Sequence, residues 1–138
     1  MNIRMKFKKH GCMKFIGHLD IMRYFQKAIR RADIDIAYSE GFSPHMIMSF
    51  AAPLGVGLTS EGEYVDLQVN SCTSSKVAVD ALNRVMVDGM EVVSFKLLPE
   101  NVKNAMSSVA AADYFVKWRE GYAPENWEEK FNTFLQKE

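Results

Sequence analysis

The chain has 138 residues, of which 48% are hydrophobic and 25% charged; this suits one compact domain, or one domain and part of another, with a genuine core. No apolar run reaches the roughly 18–20 residues that span a bilayer, and the opening MNIRMKFKKHG lacks the apolar stretch of a signal peptide, so a cytoplasmic protein with no membrane partner is expected. The net charge is zero, yet residues 1–31 hold nine Lys/Arg against one acid, Asp20, for a net +8, balanced by −8 over the other 107 residues; such an asymmetry predicts an anionic partner for the basic part or a solvated cationic face.

Ile3, Met5 and Phe7 alternate with Arg4, Lys6 and Lys8, the period-two pattern of a half-buried strand with one wholly basic face. Lys9-His10-Gly11 predicts a turn, and Met13 to Ile16 a short strand. Gly17 ends it, and a helix is expected over about 18–32. At about 100° per residue, Ile21, Met22, Phe25, Ala28, Ile29 and Ala32 share one side and Arg23, Lys27, Arg30 and Arg31 the other.

Ile34 to Ser39 predicts a second strand and His45 to Ala51 a third, with Met46, Met48 and Phe50 on one face. The Pro and Gly of residues 52–57 mark a loop. Glu63 to Val69 alternates again, with Val65, Leu67 and Val69 opposite Tyr64, Asp66 and Gln68. Ser74 or Ser75 can cap a helix over about 76–87 with Val77, Ala81, Leu82 and Val85 as its stripe, and Met90 to Leu98 predicts a further strand.

This succession, βαββαβ, predicts an α+β fold of ferredoxin-like type: an antiparallel sheet with two helices on one face. Residues 1–100 form that unit. Residues 101–138 hold a connector, a strand-like run from Ala112 to Trp118 and a helix from Glu125 to Gln136 with Trp127, Phe131, Phe134 and Leu135 on one side. They read as a strand-helix extension, or as a second ferredoxin-like unit cut short.

The segment Tyr38, Ser39, Glu40, Gly41, Phe42, Ser43, Pro44 and His45 joins two predicted strands and gathers aromatics, hydroxyls, an acid and an imidazole around a Gly and a Pro. A stiff loop of this kind presents Phe42 and its neighbours, with a plain turn as the alternative. Together with Gly17-His18-Leu19-Asp20, Ile47-Met48-Ser49-Phe50, Pro53-Leu54-Gly55-Val56-Gly57 and Ser107 to Ala112, it makes residues 3–116 similar to the radical SAM-linked domain family. The resemblance implies a partner that is a radical S-adenosylmethionine protein, a setting of RNA processing, tRNA or rRNA modification, and a domain longer than this chain.

Radical SAM chemistry needs a cluster on three closely spaced cysteines. Cys12 and Cys72 are far apart, which predicts reduced thiols and a chain that is not itself the radical enzyme. Three histidines without ligand-like grouping predict no metal and no cofactor. The expected function is accessory: binding RNA or another phosphate-rich substrate for the radical enzyme. Arg4, Lys6, Lys8, Arg23, Lys27, Arg30 and Arg31 would contact phosphates, and Phe42 and Tyr38 would stack on bases. The alternative is a metal-independent endoribonuclease or RNA-modifying enzyme, with His18, His45 and Tyr38 as acid–base groups aligned on a 2′-hydroxyl. On either reading the loop is expected to line a cleft beside His18.

Overall fold

A computed structural model describes residues 1–137. Strand β1 (Asn2–Lys9) lies second from one edge of a four-stranded antiparallel sheet. Its inward residues Ile3, Met5 and Phe7 are all buried, as the alternation predicts. Next comes helix α1 (His18–Arg31), then β2 (Met48–Phe50), β3 (Ser60–Gln68), helix α2 (Ser75–Val85) and β4 (Met90–Leu97). The strand order is β2-β3-β1-β4, and every neighbouring pair is antiparallel. The protein is therefore α+β, with the βαββαβ succession expected.

Both helices lie on the same face of the sheet. Ile21, Phe25 and Ile29 of α1 and Ala78 and Leu82 of α2 share one core with Met5, Phe7, Val65, Leu67, Val92 and Phe95. Phe25 packs 4.6 Å from Phe7 and 5.7 Å from Phe50, centroid to centroid. The α2 stripe is rotated from the predicted one. Ala78 and Leu82 face inward and Val77 is exposed, while the Ser74 side chain caps the first turn by accepting from the Val77 amide. Asn83 then doubles as a strand neighbour, exchanging two hydrogen bonds with the Val92 backbone on the exposed edge of β4.

Several predicted strands are absent. Residues 11–15 form a 3-10 turn rather than a strand: Gly11 takes φ +55°, and the Met13 and Ile16 amides bond back to His10 and Met13 carbonyls. Ile34 to Ser39 makes only two single bridges, Ile36 to Val69 and Tyr38 to Met46. The chain first pairs with the end of β3, Ala37 N–H donating to the Gln68 carbonyl, and then with its own return through residues 45–47. Switching partners within three residues leaves no continuous ladder.

After β4, helix α3 (Ala105–Ser108) docks on the outer face of the sheet with Ala105 buried. Residues 112–118 form no strand, and residues 109–137 are all exposed. A strand needs a neighbour for its amides, and no sheet edge is paired with this segment. Helix α4 (Trp127–Leu135) buries none of its apolar stripe; its Trp127 ring touches that of Trp118 at 6.2 Å.

Candidate functional site

The sequence-predicted residues fall in four separate places. The outer face of the sheet carries Arg4, Lys6 and Lys8, as the alternation requires, but the strand register sets acids among them. Arg4 sits opposite Asp66 and binds it twice, at 2.8 and 3.0 Å. Lys8 is 3.6 Å from Glu61 and 3.7 Å from Glu91, and His10 is 3.1 Å from Glu61. Lys6 lies 5.9 Å from the centre of the Tyr64 ring. The face expected to be wholly basic is thus largely neutralised. Arg4 is also committed to structure, donating to the Lys103 carbonyl at 2.9 Å.

Arg23, Lys27, Arg30 and Arg31 are exposed on α1, on the side away from the sheet. The seven predicted phosphate contacts are therefore not one surface: the sheet and α1 lie between the two groups. Arg23 pairs with Asp20 at 3.3 Å. Among the described residues no carboxylate pairs with Lys27, Arg30 or Arg31. A helix of 14 residues runs about 21 Å, so these cations gather at its carboxyl end, where they also complement the helix dipole.

The chain turns there at Asp33, φ +54°, and enters the loop of the sequence motif. The loop is a hairpin. Ile47 N–H bonds to the Ala37 carbonyl and Ser39 N–H to the His45 carbonyl. The Ser39 hydroxyl lies 2.9 Å from His45 Nδ1 and accepts from the His45 amide. Gly41, at φ +110°, turns the tip, and Phe42 is fully exposed, at 111% of its reference area. Glu40, Ser43 and Pro44 are exposed and Tyr38 is half exposed. Acids stand at this end too: Asp33, and Asp35, whose carboxyl is held below its usual range by hydrogen bonds from Ser71 and Asn70.

The hairpin lies at the Gln68 end of β3; His18 lies at the other. β1 and β3 pair from Asn2–Gln68 to Lys9–Ser60, and His18 opens α1 beside Lys9. None of residues 38–45 lines the pocket around His18, whose walls are Phe7, Lys9, His18, Ile21, Phe50, Ala52, Leu54 and Glu63. The expected cleft between the loop and His18 does not form, and His18, His45 and Tyr38 are not brought together.

Lys9 is the residue that sequence reasoning passed over. The sequence places it in a turn, but it closes β1 with the inward parity of Ile3, Met5 and Phe7 and is 2% exposed. Its ammonium donates to the Ile16 carbonyl at 2.9 Å. Burial lowers its pKa, and the nearby charge of Glu63 offsets this in part. His18 stands edge-on to Phe50 at 5.2 Å. The strand period carries the signal for Lys9; its charge and the turn residues His10 and Gly11 beside it argue otherwise.

No group of three or more His, Cys, Asp or Glu among the described residues is close enough to hold a metal, and no described helix is long and apolar enough to cross a membrane. No curated protein matches this sequence. The profile of a family described as an uncharacterized protein conserved in bacteria (DUF2344) matches residues 2–138, nearly the whole chain, and the protein belongs to that family.

Proposed function

We propose that the domain binds RNA on behalf of a radical SAM partner enzyme, through the carboxyl end of α1 and the hairpin that follows it. The observation that carries this reading is that Lys27, Arg30 and Arg31 stand exposed in the last turns of α1, from which the chain turns at Asp33 and runs into the hairpin that carries Tyr38 and Phe42. Cations with no carboxylate partner among the described residues supply phosphate contacts, which position a strand without reading it. A fully exposed aromatic on a Gly- and Pro-stiffened tip supplies a stacking face for an unpaired base. The hairpin's own hydrogen bonds hold that ring out in advance, which lowers the ordering cost of binding. The sheet face is a poorer surface for an anion because Asp66, Glu61 and Glu91 already occupy its cations. The nuclease alternative has no observation in its favour, since its three acid–base groups lie apart.

The test is fluorescence anisotropy with a mixed-sequence single-stranded RNA across a salt series. Binding should weaken steeply with salt. The Lys27→Ala/Arg30→Ala/Arg31→Ala variant should lose affinity and flatten the log–log slope by about 2, given about −0.7 per phosphate for single strands. Lys6→Ala should change little. Absent or salt-independent binding, or a larger loss from Lys6→Ala than from the triple variant, would overturn the reading.

A further inference from the structure

Residues 109–137 leave the sheet with all their side chains exposed, and they are not a polar tail. Seven aromatics lie between residues 114 and 134, each 37–93% exposed. At about 150–250 Å² per aromatic side chain, that leaves roughly 900 Å² of ring surface in water, which is about what one partner contributes to a standard protein interface. The backbone is in the same state. Among the described residues, no amide or carbonyl of residues 110–118 takes part in a hydrogen bond, and an extended run of that kind is completed by a neighbouring strand. The longer of the two edge strands, β4, does not offer itself as that neighbour. Asn83 occupies both backbone groups of Val92, and the pairing with β1 skips Val93, so the edge is blunted by a plug and a bulge.

The segment is complementary to itself. In an antiparallel pair of two copies centred on Val116, Asp113 of one copy stands opposite Arg119 of the other, Tyr114 opposite Trp118, and Phe115 opposite Lys117. These are opposite charges, two aromatics, and a cation beside a ring, each a favourable cross-strand pair. Each occurs twice, as a twofold axis requires. A parallel pair in register would instead set Asp113 against Asp113 and Arg119 against Arg119. By strand parity Tyr114, Val116 and Trp118 form one face of such a ribbon. The Trp118 ring already lies 6.2 Å from that of Trp127 in α4, so the helix stands on that face, with Phe131 and Phe134 exposed beside it. Two strands alone are marginal in water, but packing against a helix stabilises them. We propose that residues 112–119 form an antiparallel ribbon with the same residues of a second copy, covered on its Tyr114 face by the two α4 helices, so that the protein is a homodimer.

Sedimentation equilibrium on the intact chain tests this. The native protein should show a concentration-dependent monomer–dimer equilibrium. Asp113→Arg sets arginine against Arg119 at both ends of the ribbon and should weaken the dimer by about tenfold or more. Arg119→Asp should do the same with acids. The double variant exchanges the two charges and should recover most of the native affinity, which excludes misfolding as the cause of the single losses. Both residues are exposed and outside the core, so the circular dichroism of every variant should match the native chain. A monomer at all concentrations would overturn the proposal and leave the apolar arm to a different partner. Single variants that dimerise like the native chain, or a double variant no tighter than the single ones, would overturn it as well. The outcome is independent of RNA binding, which uses other residues.

Discussion

Arg4 and Asp66 face each other across β1 and β3 and are joined by two hydrogen bonds, Nε to Oδ1 at 2.8 Å and a terminal guanidinium nitrogen to Oδ2 at 3.0 Å. The same two residues fasten the segment that follows β4. Arg4 donates to the Lys103 carbonyl, and Asp66 accepts from the Ala105 amide at 2.6 Å. A cation predicted to bind phosphate is thus the clasp between the sheet and α3.

Removing the clasp should therefore cost stability and free the segment. Asp66→Ala leaves the Arg4 guanidinium and the Ala105 amide without their acceptor. With both side chains only about a fifth exposed, the expected loss is about 2 kcal/mol, within the range for hydrogen bonds to charged groups. Urea unfolding measures it, and limited proteolysis should cut residues 98–110 faster than in the native chain. Unchanged cleavage would show that α3 is held by Ala105 packing alone.

Phe42→Ala should separate binding from folding. The ring is fully exposed, so unfolding free energy should stay within about 0.5 kcal/mol. If Phe42 stacks on a base, RNA affinity should fall by about 1–3 kcal/mol, the usual value of such a contact. Anisotropy and thermal melts on the same preparation check both parts.

Gly89 occupies a position no other residue fits. Its φ is +90°, and an added Cβ would come within 2.5 Å of the His10 carbonyl oxygen and 3.1 Å of Met13 Cγ. The close approach is the one that lets His10 N–H bond to the Gly89 carbonyl at 2.8 Å. Gly89→Ala should destabilise by about 2–4 kcal/mol through backbone strain and the clash together, read from a denaturant midpoint.

Lys9 predicts the direction of a pH effect. Burial sets its folded pKa below the ordinary 10.5, so between the two values the unfolded chain binds more protons than the folded one. Stability from this group therefore rises with pH through that interval and is level below it, where both states are charged. Lys9→Met should remove the rise. Denaturation midpoints of the two proteins, taken from neutral pH toward 10.5, should converge as pH rises if the methionine protein starts the more stable.

The strand and helix periods of this sequence determined a great deal alone: the inward sets Ile3/Met5/Phe7, Val65/Leu67/Val69 and Ile21/Phe25/Ile29, the exposed cations of α1 and, from element to element, the βαββαβ succession. Each depends on spacing within one segment, which local geometry enforces. What tertiary structure decided is whatever depends on a neighbour remote in sequence. Asp66, Glu61 and Glu91 reach Arg4 and Lys8 only through the register of β3 and β4 against β1, so a face that is basic by sequence is paired in space. Residues 112–118 have strand chemistry but no sheet edge to satisfy their amides. Lys9 takes an inward place by strand parity, yet the acceptor that makes its burial tolerable comes from Ile16, delivered by the 3-10 turn. His18 is separated from His45 because α1 carries the chain from one end of the sheet to the other, a distance set by helix length and packing rather than by the residues of either motif.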